Sequence, residues 1–300
     1  MHIIVLGAGA IGTFYGARLS SHHDVTLVAR PGHVDRITRE GVRITGLDDV
    51  TVRVRAATAV EAVPPGSLIL LTTKVYDTEA AIGAIVDRLG PDTCILCLQN
   101  GLYSEEIVRR IVVGRCPVLR GITMFGVTFV APGVVALKGE GWTSIEAGPR
   151  SRALADLFSE CRLDGRVSPD IRAEMWRKVI VNCVINPLTA MTGMDVGWMA
   201  DERIDPLKRL IAAECAAVAE RDGLVIAEDL VRMINDVYRP SHNLSSMHQD
   251  LLKGRRTEID YLNGAVVRMG ERYGLDCPVN RALAGIIGRM ETVAAGRQDG

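Results

Sequence analysis

The stretch "HIIVLGAGAIGTFYGARLSSH", residues 2–22, narrows the possible folds more than any other part of the chain. It opens with a short β-branched run, passes through G-x-G-x-x-G at Gly7, Gly9 and Gly12, and continues in a helical pattern; "DVTLVAR" then reads as a second strand. A lone G-x-G-x-x-G is weak, but between a strand and a helix, inside a β-α-β unit of about 30 residues, it has the context of a dinucleotide fingerprint. Gly7 allows the tight turn, Gly9 lets a pyrophosphate approach the backbone, and Gly12 lets the helix pack on the strand. The helix N-terminus offers unpaired N–H groups and a partial positive charge to the phosphates. Where an NAD enzyme carries Asp or Glu at the end of the second strand, this chain has Arg30. An acid there repels a 2′-phosphate, whereas arginine pairs with it bidentately, so the expected cofactor is NADP.

Strand and helix patterns keep alternating after this unit. Two apolar runs, Leu68–Thr73 and Cys94–Leu98, end at Lys74 and at Asn100–Gly101. Ligands of doubly wound sheets lie beyond the carboxyl ends of strands, which makes Lys74 and Asn100 candidate cofactor residues. "VTFVAPGVVALKGEGWTSIEAG" has turn signals between alternating runs and reads as an antiparallel edge hairpin.

From about Asp170 the strand signals fade, and helical patterns cover 171–190, 203–222, 227–237, 245–272 and 279–295. The expected fold class is therefore α/β: a doubly wound Rossmann-type domain over 1–169, followed by an all-helical domain over 170–300. The first helix of the second domain holds a puzzle. "MWRKVIVNCVINPLTA" is apolar, yet Lys178, Asn182 and Asn186 recur at i, i+4 and i+8, one above another on a single face. A solvated stripe usually carries Glu, Lys and Arg, and asparagine is a poor mid-helix residue. The row is either such a stripe or a set of polar groups aimed into a cleft. In "NLSSMHQDLLKGRRTEIDYLNGAVV", Ser245 or Ser246 caps a helix, Gln249 being the capping-box partner of Ser246, or else a serine serves a ligand. Glu258 and Asp260 read equally as surface acids.

Composition excludes several classes. The net charge is −1 and no basic block occurs, which argues against nucleic-acid partners. No stretch approaches about 18 uninterrupted apolar residues, so no membrane span is expected. The start of the chain reads as structure and not as a signal peptide. Seven scattered cysteines and six histidines lack metal-ligand spacing; Cys94 and Cys97 fall on opposite faces of a strand and read as buried small hydrophobes. A reducing cytoplasm and no metal are expected. The Ala-rich "LIAAECAAVAE" packs either within its domain or against a second chain, as in a homodimer.

Together "GAGAIG", "TKVYDT", "LQNG", "WRKVIVNCVINPLTA" and "SSMHQD…GRRTEIDYLNG" resemble the ketopantoate reductase (2-dehydropantoate 2-reductase) family over nearly the whole chain. The resemblance implies an NADP domain joined to a helical domain, with the active site in the cleft, and reduction of a 2-keto acid, ketopantoate first, to the 2-hydroxy acid in pantothenate and coenzyme A synthesis. It implies that Lys178 is the catalytic acid and that Asn182 and Asn186 bind substrate. Ser246 with Asn243 would hold the substrate's carboxylate end, and Lys74 with Arg30 the 2′-phosphate. Glu258 would be the catalytic-site glutamate that contacts cofactor or substrate. Tyr103 stands where many members have a second glycine, Val196 where they often have asparagine, and Leu244 where they often have threonine. These departures leave room for a different keto acid. A non-catalytic NADP sensor is the reading of another class, and the presence of both the lysine row and Glu258 argues against it, since a sensor has no need of a proton donor.

Overall fold

The computed structural model describes residues 1–239 and 241–296. Residues 240 and 297–300, which the expected second domain takes in, lie outside the described residues. The chain forms two units: Met1–Gln99 with Tyr103–Ile171, and Asn100–Leu102 with Arg172–Gly300.

The first unit runs β1 (His2–Leu6), α1 (Ala10–Leu19), β2 (Asp24–Val28), α2 (Pro31–Glu40), β3 (Val42–Gly46), β4 (Val50–Val52), β5 (Arg55–Ala57) and β6 (Leu68–Leu71). It continues with α3 (Thr78–Gly83), β7 (Cys94–Cys97), α4 (Ser104–Val112), β8 (Val118–Thr123), β9 (Gly126–Ala131), β10 (Val134–Gly139), β11 (Thr143–Ile145), α5 (Ser151–Glu160) and β12 (Gly165–Val167). Eight strands form one sheet in the order β12-β11-β8-β7-β6-β1-β2-β5. The stretch from β8 to β5 is parallel, and β11 returns antiparallel to β8. From β1 the chain winds outward through β2, then restarts on β1's other side at β6. That reversal is the switch point where such sheets bind ligands.

The sheet is buried on both faces, as its near-continuous apolar strands require. Alternation sorts the side chains: Ile3 and Val5 enter one buried cluster, Ile4 and Leu6 the other. The same period separates Cys94 from Cys97, one in each cluster, and all seven cysteines are free and buried. The expected hairpin exists, with β9 and β10 antiparallel. It does not join the main sheet. It pairs through β10 with β3 in a second sheet of order β4-β3-β10-β9. Aromatic packing explains the placement: Phe125, just before β9, lies 5.3 Å from Phe14 and 6.2 Å from Tyr15, centroid to centroid, on the buried α1.

The second unit comprises α6 (Ile171–Thr192), α7 (Asp205–Arg221), α8 (Leu230–Tyr238), α9 (Ser246–Leu252), α10 (Asn263–Arg272) and α11 (Pro278–Gly296). The single helix expected over 245–272 is two helices. Gly254, at φ +57°, takes a conformation that closes α9, and a 3-10 turn at Ile259–Tyr261 leads into α10. Apolar periodicity carries across this break because both helices face the same core. No helix among the described residues is long and apolar enough to cross a membrane.

Candidate active site

In the first unit the candidate site is a matter of backbone shape. Gly7 sits at φ +102°, and a Cβ there would stand 2.5 Å from the Thr73 nitrogen. A Cβ on Gly12 would stand 2.5 Å from both the Gly7 carbonyl oxygen and Thr72 Oγ1, while one on Gly9 would meet nothing within 4 Å. Gly7 and Gly12 are thus required by the fold, whereas Gly9 leaves an open face. Gly9 is also the N-cap of α1 and supplies no side-chain cap, so the helix's first N–H groups point to that open face. This cradle, lying where β1 and β6 diverge, fits a dinucleotide's phosphates.

Arg30 is the exposed N-cap of α2, at the end of β2, and its guanidinium has no ion-pair partner among the described residues. His33, one turn on, is buried. Its Nδ1 accepts from the Gly133 N–H (2.9 Å), which puts the ring proton on Nε2, 3.0 Å from Thr13 Oγ1; Thr13 donates to the Ala8 carbonyl (3.2 Å). The start of α2 is so tied to the glycine turn and to the second sheet. Burial pushes the His33 pKa below its usual value.

Lys74 is half-buried and follows β6. Its carbonyl and that of Thr73 accept from Gln99 Nε2 (3.4 and 3.0 Å), which also donates to Thr78 Oγ1 (2.8 Å). Buried Arg120 donates to the Gln99 carbonyl (2.8 Å) and pairs with buried Glu105 (3.1 Å). The loops after β6 and β7 are therefore stitched together by one amide and one guanidinium. Sequence reading passed over both residues; the only signal was the amide in "LQNG". Asn100, half-buried, emerges from β7 but groups with the helical unit, where Gly101 lies so near the Tyr261 carbonyl that a Cβ would stand 2.7 Å from it. Tyr103 has φ +53°. That left-handed conformation is natural to glycine and costs a bulky residue about 1–2 kcal/mol, which gives a physical reason for glycine at this position.

In the second unit the candidate residues are side chains on helices. Along α6, Lys178 and Asn182 are half-buried and Asn186 is 6% exposed. The row is not a solvated stripe. The amides of Asn182 and Asn186 make no hydrogen bond to a described residue, although the helix around them is packed. Pro187 follows directly. It lacks the N–H that would meet the Cys183 carbonyl one turn back, and Asn263 Nδ2 donates there instead (3.0 Å). Asn263 in turn donates to Asn280 (2.9 Å), which donates to Glu214 (2.7 Å). A proline inside an apolar helical pattern was the available sign that such a partner exists.

The serine alternatives separate. Ser245 is the N-cap of α9, its Oγ accepting from the His248 N–H (3.2 Å); Gln249 reaches the Leu244 carbonyl (2.9 Å), so the capping box expected for Ser246 is not formed. Ser246 is exposed, and its hydroxyl bonds to no described residue. Asn243 is half-buried and its carbonyl accepts from the Val196 N–H (2.8 Å). The two acids also separate: Asp260 is exposed and pairs with Arg256 (3.0 Å), whereas Glu258 is buried. A groove of about 290 Å³ on another side of α6, lined by Ile180, Ala212, Ala213, Ala216 and Leu230, contains none of the expected site residues.

A glycine turn at the switch point of a doubly wound sheet, followed in the chain by a helical second unit, is the architecture of a dinucleotide-dependent oxidoreductase. Residues 3–150 match the family model described as ketopantoate reductase PanE/ApbA, and residues 170–291 match the model of its C-terminal region. The chain belongs to the ketopantoate reductase family. It is 32% identical to the 2-dehydropantoate 2-reductase of Pyrococcus horikoshii, over 99% of both chains. Among solved structures it resembles a PanE/ApbA family ketopantoate reductase from Ralstonia eutropha JMP134 (32% identity, TM-score 0.91, 98% of this chain and 99% of that one). It resembles as well a D-mandelate dehydrogenase in ternary complex with NADH and anilino(oxo)acetate (28% identity, TM-score 0.91, the same coverage).

Proposed function

We propose that the protein reduces a 2-keto acid to its 2-hydroxy acid with NADPH, and that the keto acid is ketopantoate, giving pantoate for pantothenate and coenzyme A synthesis. The observation that carries this reading is the half-buried to buried row Lys178–Asn182–Asn186, whose amides bond to no described residue, in a chain whose relatives are 2-dehydropantoate 2-reductases. The Gly7–Gly9–Gly12 turn would hold the phosphates of a nicotinamide cofactor, which would supply the hydride for the keto carbon. Negative charge then grows on the keto oxygen. The Lys178 ammonium stabilises it and donates the proton that completes the hydroxyl, taking one back from solvent afterwards. Asn182 and Asn186 offer neutral donors and acceptors that orient the substrate without adding charge. Ser246 and Asn243 bind its carboxylate end. Glu258 is a buried acceptor for a hydroxyl of substrate or cofactor. Arg30 and Lys74 bind the 2′-phosphate, and Asn100 completes the cofactor site. Seven free, buried cysteines suit a reducing compartment, and we assign the reaction to the cytoplasm.

The test is loss of NADPH absorbance with a panel of keto acids. Ketopantoate should give a higher kcat/KM than pyruvate, 2-ketoisovalerate or oxaloacetate. The likeness to D-mandelate dehydrogenase favours a second reading, another keto acid on the same machinery. Turnover of a different keto acid without turnover of ketopantoate would select it. NADPH binding with no turnover of any acid would leave only a sensor.

A further inference from the structure

We infer that Thr189 is a positioning residue: it ties the substrate-binding segment Asn243–Ser246 to the helix that carries Lys178, Asn182 and Asn186. The inference rests on the function proposed above and concerns how one part of that site is held. Thr189 is fully buried on α6, one turn beyond Ile185. Its hydroxyl donates to the Ile185 carbonyl (2.7 Å), with the Asn186 carbonyl 3.2 Å away, and its oxygen accepts from the Ser245 hydroxyl (2.8 Å). A threonine bonding back to its own helix is common and means little by itself. Here the same oxygen reaches a second element. Ser245, 6% exposed, is the cap of α9, and its neighbour Ser246 offers the free hydroxyl.

Three successive residues of this segment are each pinned by a different group. The Asn243 carbonyl accepts from the Val196 N–H, the Leu244 carbonyl accepts from Gln249 Nε2, and the Ser245 hydroxyl donates to Thr189 Oγ1. The first two bonds come from the loop before α7 and from α9 itself. Of the three, the Thr189 bond alone comes from α6, so it sets the spacing between Ser246 and the polar row. With Ser245 consumed as cap and anchor, Ser246 is left to face a ligand. The paired serines of "SSMHQD" therefore divide two jobs, one inward and one outward. A substrate gripped at its carboxylate by Ser246 and at its keto group by Lys178 is sensitive to that spacing, because catalysis falls steeply when reacting groups are misplaced by about 1 Å.

The test is Thr189→Val, which keeps the shape of the side chain and removes the hydroxyl, assayed with the keto acid the wild type reduces best. The KM for that acid should rise about tenfold or more, with kcat falling less and the KM for NADPH unchanged. Thr189→Ser should restore the wild-type KM. Ser245→Ala should raise the same KM, and the double variant should be no worse than the worse single, as for two ends of one bond. A Thr189→Val protein with a lower Tm but an unchanged KM and kcat would reduce the bond to ordinary fold stability and overturn the inference alone. Absence of turnover by the wild type on every keto acid would remove the proposed function, and the inference with it.

Discussion

The two units differ in how their proposed binding surfaces are made. In the sheet unit the surface is backbone: Gly7 and Gly12 fill places where a Cβ would collide at 2.5 Å, Gly9 opens a face, and a helix end supplies donors. In the helical unit the proposed surface is side chain: Lys178, Asn182 and Asn186 form a polar row on a helix whose other residues from Val179 to Ala190 are buried. A backbone site tolerates almost no change of shape yet asks little of chemistry. A side-chain site tolerates isosteric change yet depends on particular atoms. If each unit does one job, cofactor affinity and chemistry should be separable by mutation.

The strongest way to break that separation is Lys178→Ala. As general acid, Lys178 should be worth about 10²–10⁴ in kcat, while NADPH affinity, held by the other unit, stays near wild type. Fluorescence titration with NADPH and steady-state kinetics measure the two quantities. A folded variant that binds NADPH and turns over at the wild-type rate would end the proposed mechanism.

The glycines sharpen the other side. Gly12→Ala forces a methyl against the Gly7 carbonyl and Thr72, and should cost roughly 1–3 kcal/mol of stability along with cofactor binding. Gly9→Ala meets no protein atom within 4 Å, so its stability should stay within about 0.5 kcal/mol while the Kd for NADPH rises about tenfold. Thermal melts with and without cofactor distinguish the pair. A Gly9→Ala protein that binds NADPH normally would put the phosphates elsewhere. Arg30→Ala should lower kcat/KM with NADPH by about tenfold, the value of one charge-assisted bond, and leave NADH almost untouched. Equal losses with both cofactors would remove the 2′-phosphate from Arg30.

The same contrast explains what could be read from sequence. Gly7, Gly9 and Gly12 were legible because a turn between strand and helix is local: spacing alone carries its geometry. The lysine–asparagine row was legible as a periodicity, but whether it faced solvent depended on tertiary packing that spacing does not encode. The residues that hold these groups were mostly missed. Gln99 bridges β7 to the loop after β6, Arg120 reaches it from β8, and Asn263 replaces the bond lost at Pro187 from a helix some 80 residues away in sequence. Such partners are fixed by three-dimensional proximity. The second sheet escaped for the same reason, since β10 pairs in parallel with β3 across most of the first unit's sequence. Gly254 was visible as a glycine, but the apolar period on both sides concealed the break it makes.

His33 gives the smallest effect and tests how far the backbone surface depends on a side chain after all. Its Nδ1 accepts the Gly133 N–H, and Nε2 bonds with Thr13, so the ring is held neutral between the glycine turn and the second sheet. Burial lowers its pKa in the folded protein, while the unfolded chain titrates near 6.5. The unfolded state therefore binds more protons in the window between those two values, and stability must rise with pH across it. The contribution of neutral His33 is fully present above about pH 6.5 and is lost progressively as pH falls from there toward the folded-state pKa. Protonation would set a second N–H against the Gly133 donor. His2 and His23 are also shifted downward, so the wild-type slope has several sources. The measurement is consequently a difference: urea midpoints of wild type and His33→Asn from pH 8 down to about pH 5. The wild type should lose stability more steeply than the variant below about pH 6.5 and run parallel to it above. Parallel curves throughout would show that the folded protein does not discriminate between the charged and neutral ring, and that the tie between α2 and the glycine turn does not rest on His33.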